Sequence, residues 1–303
     1  MRSLVIGFGS IGQRHHRILT ELGHKVAVIS SRTASVSDTY SSITSALQDF
    51  DPSYVVIASA TSQHLSDFYE LTCAQFTGRI LIEKPLSVHE SNVPPSTAAS
   101  IHVGYNLRYL PVIQRLRELT QRDPIVSLSA YNGEYLPNWR PGRDYRLTSS
   151  ASATMGGGVL RDQSHELDFI HYLMGAPVSV VADIQRLGDL EIDTEDTVRA
   201  IMRHNTGAIS SLYLSYLDRV RRRELTCVTK SHTISIDLVT GTLTVDGRKE
   251  NMEHDRDTTF RRMHIDILSG KATTACTLPE ASDVMRTIAM LESSTNTKAW
   301  VPR

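Results

Sequence analysis

The chain reads as α/β: a doubly wound, parallel-sheet domain comes first, and an α/β domain with a large, open, mostly antiparallel sheet follows. Three observations predict this. Over the first hundred residues short continuous apolar runs alternate with helix-spaced segments, the pattern of a parallel sheet covered on both faces. A glycine cluster, Gly7 to Gly12, ends the first of those runs. From Val178 onward, strand-like segments follow one another without intervening helices.

The elements follow in order. Leu4-Val5-Ile6 is the first strand, and Ile11, Ile18, Leu19 and Leu22 give the next stretch a helical spacing. Val26–Ile29 is a second strand. A turn at Asp51-Pro52 introduces Tyr54–Ala58. Gln63–Ala74 is helical, Arg79–Ile82 is a strand closed by Pro85, and Ile101–Val103 ends at Gly104. The domain boundary is set there, giving 1–104 and 105–303. Leu110, Ile113, Leu116 and Leu119 share a helical face, and Ile125–Tyr135 reads as a strand. An aromatic and basic loop precedes one continuous helix, Val159 to Met174. Strands follow at 178–184, 197–202, 208–217, 224–228, 234–238 and 242–245, and two helices near 260–268 and 280–291 close the chain.

Composition limits the function classes. The 303 residues hold 32 Lys+Arg against 33 Asp+Glu, a net charge of -1, which gives no basic footprint for nucleic acid. Arg219-Val220-Arg221-Arg222-Arg223 is the one basic run, and it reads as a solvated or subunit-contact edge. No run approaches the ~18 apolar residues of a membrane span, and the apolar N-terminal stretch is too short for a signal peptide. Cys73, Cys227 and Cys276 form no CxxC pair, so neither a disulfide framework nor a structural zinc site is expected. No metal site is expected elsewhere. A cytoplasmic location follows by default.

Gly7-Phe8-Gly9-Ser10-Ile11-Gly12 matches G-x-G-x-x-G in the context that motif requires, after a strand and at the start of a helix. Gly7 permits the tight turn, Gly9 lets the backbone approach a pyrophosphate, and Gly12 allows close helix–strand packing. The helix N-terminus adds unpaired N–H groups and a positive dipole end. At the end of the second strand an Asp or Glu would read the ribose 2′-OH of NAD. Here Ser30-Ser31-Arg32 stand instead, a guanidinium and two hydroxyls that suit a 2′-phosphate. NADP(H) is therefore favoured over NAD(H).

Glu83-Lys84-Pro85 follows a strand of the nucleotide-binding half, where strand ends face the ligand crevice. From this triplet alone, Lys84 reads equally as a nicotinamide-side lysine or a solvated cap. The second cluster is Gly156-Gly157-Gly158, then Asp162 and His165 three apart on a helix. An imidazole oriented by a carboxylate suits transfer of a hydroxyl proton as hydride moves. Surface decoration is the alternative reading of such a pair.

Together, Gly7–Gly12, the stretch Ala58-Ser59-Ala60-Thr61-Ser62-Gln63-His64, Glu83-Lys84-Pro85 and Gly156–Asp168 resemble the Gfo/Idh/MocA oxidoreductase family over essentially the whole chain. The resemblance implies a Rossmann domain, then an open antiparallel sheet used for oligomerisation as a homodimer or homotetramer. It also implies hydride transfer to or from sugars and cyclitols. Ala58, Thr61, His64, Glu83 and Lys84 are then cofactor contacts. Lys84 is the catalytic-site lysine on the reacting oxygen, His165 the acid/base and Asp162 its carboxylate partner. A cis Lys84-Pro85 peptide is frequent in the family. The chain departs from the family at one point: the common pattern places the Asp four residues before the His, where this chain has Arg161.

A narrower resemblance runs through Arg14-His15, Gly104–Pro111, Tyr135–Pro141, Asp144–Arg146 and His165–Asp168, to members encoded with bacterial surface-sugar pathways, some of them making nonulosonates. It points to an amino-sugar, nucleotide-sugar or acidic-sugar substrate. The residues agree: Trp139 and Tyr145 offer aromatic faces to sugar C–H surfaces, and Arg140, Arg143 and Arg146 suit a carboxylate or phosphate. Tyr105, Asn106 and Arg108 follow the last strand of the first half and are further substrate candidates, or a hydrogen-bond set at the domain joint. Against the sugar oxidoreductase stands a non-catalytic dinucleotide sensor of the same fold. Lys84 and His165 separate the two, since a sensor needs neither.

Overall fold

The computed structural model describes residues 1–30 and 36–303. The first stretch runs β1 (Arg2–Ile6), α1 (Ser10–Glu21), β2 (Lys25–Ile29), β3 (Thr39–Tyr40), α2 (Ile43–Phe50), β4 (Tyr54–Ile57), α3 (His64–Cys73), β5 (Arg79–Ile82) and β6 (Ser100–Val103). Next come α4 (Pro111–Thr120), β7 (Ile125–Gly133), α5 (Val159–Asp162), α6 (His165–Met174), β8 (Ser179–Gln185), β9 (Thr197–Arg203), β10 (Ile209–Ser215), β11 (Arg222–Thr229), β12 (Thr233–Asp237), β13 (Thr242–Val245) and β14 (Arg248–Asn251). The chain closes with α7 (Thr258–Leu268), β15 (Cys276–Thr277), α8 (Leu278–Thr297) and β16 (Val301–Pro302).

Two compact units result: Met1–Tyr109 with Arg256–Ser282, and Leu110–Asp255 with Asp283–Arg303. The first break falls after Tyr109, within several residues of Gly104, and a later segment returns to the first unit. The reason is hydrophobic. Phe260, Met263 and Ile267 of α7 belong to the same buried cluster as Val5, Ile18, Val28 and Val56, and β15 pairs with β6. Local sequence pattern does not reveal which core a distant helix joins.

In the first unit the strand order is β15-β6-β5-β4-β1-β2-β3, parallel except at β15. This is the doubly wound order with an added edge strand. Strands β4 and β5 are apolar at nearly every position because both faces are covered. Helix α1 turns Gly12, His15, Ile18 and Leu19 inward, the spacing of one helical face. Helix α2 starts at Ser42, whose hydroxyl accepts the Ser45 N–H at 3.1 Å.

The second unit carries nine strands in the order β14-β13-β12-β11-β7-β10-β9-β8-β16. Only β7 and β10 run parallel; the other neighbours are antiparallel. Alternation is plain in β9, where Val198, Ala200 and Met202 are buried while Arg199, Ile201 and Arg203 are exposed. The expected single helix from Val159 to Met174 is two helices. The backbone leaves the α-helical ladder at Gln163 and Ser164, so Asp162 closes α5 and His165 opens α6. Asp162 and His165 therefore do not share one continuous helix face. Among the described residues no helix is long and apolar enough to cross a membrane.

Candidate active site

Strand register lines up the first unit's candidate residues. Ile29, Ile6, Ile57, Ile82 and Val103 are partners across β2, β1, β4, β5 and β6. The residues that follow them, Ser30, Gly7, Ala58, Glu83 and Gly104, form one row beyond the strand ends. Ligands of open parallel sheets bind at that edge.

The glycine loop has the geometry a dinucleotide needs. Gly7 has φ +91°, and a Cβ there would lie 2.6 Å from the Ala58 carbonyl oxygen. A Cβ on Gly12 would lie 2.0 Å from the Gly7 carbonyl oxygen, so α1 packs against the loop only because Gly12 has no side chain. Gly9 is exposed, with nothing within 4 Å of the Cβ position. It is also the N-cap of α1 and supplies no side-chain cap, and the first turn carries no acidic residue. Open backbone at a helix N-terminus suits a phosphate. Phe8, Ser10, Gln13, Arg14 and Arg17 line an open cleft of about 500 Å³ beside it, in the size range of small-molecule sites. Ile11 is half-buried behind the loop and Ser30 half-buried at the end of β2, while Ser31 and Arg32 lie outside the described residues.

Ala58 continues the ladder, its N–H donating to Ile6 O at 2.7 Å. Thr61 opens a short turn before α3. His64, expected to touch the cofactor, is buried, with Nδ1 2.9 Å from Pro85 O and Nε2 3.2 Å from Ser59 O. Burial pushes its pKa down, so the ring has one N–H to give. His64 is thus packed between the loops after β4 and β5, its one N–H available to only one of the two carbonyls. Lys84 is half-buried at the edge row, and its peptide with Pro85 is cis. Glu83 turns its carboxylate into the unit, where Oε1 lies 2.8 Å from His15 Nε2 and Oε2 accepts the Lys84 N–H at 3.2 Å.

Three substrate candidates after β6 are engaged inside the unit. Tyr105 is 1% exposed. Asn106 Nδ2 donates to Thr259 Oγ1 at 2.6 Å. Arg108, 1% exposed, has Nη1 3.4 Å from Thr274 O and 3.3 Å from Glu280 Oε2. The expectation that Arg108 offers its guanidinium to substrate is corrected: the group ties the segment before β15 to the turn at 106–109.

In the second unit, Asp162 accepts the Tyr216 hydroxyl at 2.6 Å. His165 is buried, Nδ1 included. Its neighbour Glu166, fully buried, accepts Arg223 Nε at 2.6 Å and Asn132 Nδ2 at 3.2 Å, which fastens the first turn of α6 to β11 and β7. Trp139 donates from Nε1 to Glu134 O at 3.3 Å and sets its ring edge-on to Tyr216, centroids 5.1 Å apart. Tyr145 accepts the Glu191 N–H through its hydroxyl at 3.2 Å. Arg146 is clasped by Asp144 and Glu191, which hold its pKa above the ordinary value. It is corrected as an anion donor, because its charge is already met. Arg140 and Arg143 are exposed and have no acidic partner among the described residues. With Leu136, Trp139 and Tyr145 they line a hollow of about 10 Å³, the room of one water. The basic run is spent within the unit: Arg219 lies over Tyr135, Arg221 faces Glu134, Arg222 faces Glu224 and Arg223 meets Glu166.

Sequence reasoning missed Tyr216, Glu166 and the pair His15–His264. His15 carried a weak signal, lying on the inward face of α1 with Gly12 and Ile18. His264 carried none, since only the tertiary fold brings it to His15.

Two family models match the chain: the oxidoreductase family with an NAD-binding Rossmann fold over residues 1–94, and the GFO/IDH/MocA C-terminal domain over residues 113–244. No curated protein sequence matches it. Among solved structures it is similar to UDP-N-acetylglucosamine 3-dehydrogenase GnnA from Acidithiobacillus ferrooxidans, 21% identical with a TM-score of 0.79 over 98% of each chain. It is also similar to the WlbA dehydrogenase from Bordetella pertussis in complex with NADH and UDP-GlcNAcA, 17% identical with a TM-score of 0.80 over 100% of this chain and 98% of that one. Levoglucosan dehydrogenase in complex with NADH is 16% identical, with a TM-score of 0.84 over 100% of this chain and 98% of that one.

Proposed function

The chain belongs to the Gfo/Idh/MocA oxidoreductase family, and from that premise we propose that it moves a hydride between a nicotinamide dinucleotide and a carbinol carbon of a sugar derivative carrying an anionic group, in surface-polysaccharide or amino-sugar metabolism. One observation carries the reading: the aligned edge row Ser30, Gly7, Ala58, Glu83 and Gly104, with the exposed Gly9 loop on one side and Lys84 on the other.

The dinucleotide, when bound, supplies the hydride acceptor or donor. The chain's residues do the rest. Gly7 to Gly12 and the start of α1 hold the pyrophosphate. Lys84 binds the reacting oxygen through its ammonium group. In the oxidative direction the C–H bond breaks with its electron pair, the C=O bond forms, and His165 takes the hydroxyl proton; reduction reverses each transfer. Burial of Nδ1 supports Nε2 as the working nitrogen. Asp162, held by Tyr216, is assigned to stabilise the imidazolium electrostatically.

Substrate choice is assigned to the loop from Tyr135 to Arg146. Arg140 and Arg143 supply uncommitted positive charge, and Trp139 and Tyr145 supply aromatic faces. Cofactor choice is assigned to Ser30, Ser31 and Arg32, whose hydroxyls and guanidinium favour a 2′-phosphate and hence NADP(H). WlbA and levoglucosan dehydrogenase hold NADH, so this preference would set the chain apart from them.

Paired fluorescence titrations with NADPH and NADH test the cofactor. NADPH binding about tenfold tighter, roughly 1.4 kcal/mol, is the expected result; equal affinity removes Arg32 from the reading. Oxidation assays with UDP-N-acetylglucosamine, a UDP-hexuronate and levoglucosan test the substrate class. Turnover of the anionic compounds alone is expected, and turnover of levoglucosan alone overturns the anion assignment.

A further inference from the structure

Behind Lys84 lies a string of buried polar side chains that the proposed chemistry does not use. The Tyr54 hydroxyl is 2.9 Å from His264 Nδ1, His264 Nε2 is 2.9 Å from His15 Nδ1, and His15 Nε2 is 2.8 Å from Glu83 Oε1. Tyr54, His264 and His15 are each 0% exposed and Glu83 is 9% exposed. The four come from β4, α7, α1 and the end of β5, all within the first unit.

The string has one direction in which every proton is used. Tyr54 donates to His264 Nδ1, His264 donates from Nε2 to His15 Nδ1, and His15 donates from Nε2 to the Glu83 carboxylate. In the opposite direction His264 would donate to the Tyr54 oxygen. The phenolic proton would then need another acceptor, and none exists among the described residues. An unmatched buried donor carries its full desolvation cost. Burial agrees with the forward direction, since it holds His264 well below the ordinary imidazole range and Tyr54 well above the ordinary phenol range.

The string ends at the lysine. Glu83 Oε1 receives His15, and Oε2 receives the backbone N–H of Lys84. Gly104 makes room for the carboxylate: a Cβ there would stand 2.7 Å from Glu83 Oε1.

We propose that Tyr54, His264 and His15 form a one-way hydrogen-bonded string that fixes the Glu83 carboxylate behind Lys84, making Glu83 and the two histidines positioning residues for that lysine. This rests on the assignment of Lys84 to the reacting oxygen. Glu83 thereby serves from inside the unit rather than as a cofactor contact.

The test uses the full chain with histidine-selective ¹⁵N labelling, the two rings assigned through His15→Gln and His264→Gln. At about pH 7 both rings are expected to carry a proton on Nε2, and His264 to be neutral. A cationic His264, or a proton on Nδ1 of either histidine, overturns the string. Amide hydrogen exchange reads the consequence at the lysine. In Tyr54→Phe and Glu83→Gln the Lys84 amide should exchange about tenfold faster while the Val56 and Leu81 amides stay within about twofold. Gly104→Ala disturbs the carboxylate without removing any polar group and should do the same, which keeps the test open if a string variant fails to fold. Unchanged Lys84 exchange in every folded variant overturns the positioning role. None of these readouts needs turnover, so full activity in Lys84→Ala would remove the lysine's role and leave the string's signature in place.

Discussion

The Asp162 carboxylate and the Tyr216 hydroxyl are 2.6 Å apart, and the same phenol ring carries the edge of Trp139. One tyrosine therefore joins the Asp162 carboxylate to the anchor of the Tyr135–Arg146 loop. Tyr216→Phe keeps the ring contact and deletes the donor. It should cost about 1–2 kcal/mol in urea unfolding and lower kcat more than it raises KM. An unchanged kcat would leave Asp162 without a part in the proton transfer.

Lys84→Ala and His165→Ala separate catalyst from sensor. Neither residue belongs to the glycine loop, so dinucleotide titrations should give dissociation constants within about threefold of the parent. Turnover of whichever sugar derivative proves active should fall by about 10²–10⁴-fold in each. Full activity in both would leave the oxidoreductase family standing and remove these two residues from its chemistry.

The sheet frame was legible because its strands are apolar on both faces and its glycine loop has a fixed register. Gly7, Ala58 and Glu83 each follow a strand that reads as one. Three things were not. The segment Ile43–Phe50 carries Ser42 as a cap and Ile43, Ala46 and Phe50 on one face, a short signal that a longer helical window dilutes. The break at Gln163-Ser164 interrupts a sequence whose apolar spacing runs on unchanged into α6, so pattern gives no sign of it. Arg108 and Arg146 look like ligand donors until Glu280, and then Asp144 and Glu191, are found on them. A charge's partner is a tertiary fact.

The buried His264 makes the first unit acid-sensitive. Burial, then the neighbouring His15, lowers its pKa well below the ordinary value. The unfolded chain therefore binds a proton that the folded one refuses, and stability falls as pH drops below about 6.5 toward the folded value. The groups acting on the ring are His15, Tyr54, the more distant His24 and, beyond His15, Glu83. His264→Gln should lower stability at neutral pH and flatten the loss between about pH 6.5 and 5. Urea midpoints measured across that window check it, and an unchanged slope would mean another group carries the acid response. Asp266 does not compete in this window. Although burial acts the other way, its bonds from Tyr109 and the 273–275 backbone leave it below the usual carboxylate range, so its contribution is lost only under more acidic conditions.

Gly9 and Gly12 belong to one motif but should fail in different ways. Gly12→Ala puts a methyl 2.0 Å from the Gly7 carbonyl oxygen, and that neighbour is backbone. The helix must shift from the strand, at about 1–3 kcal/mol, and dinucleotide binding falls as a consequence. Gly9→Ala meets nothing within 4 Å, and its φ of -73° suits any L-residue. Its stability should stay within about 0.5 kcal/mol of the parent. If the Gly9 backbone approaches the pyrophosphate, the new methyl stands between them, and affinity should drop by about tenfold or more. Thermal melts and fluorescence titrations on the two variants separate the effects. Parental affinity in Gly9→Ala would mean that the exposed loop does not hold the phosphates, and the cofactor reading would then rest on the α1 amides alone.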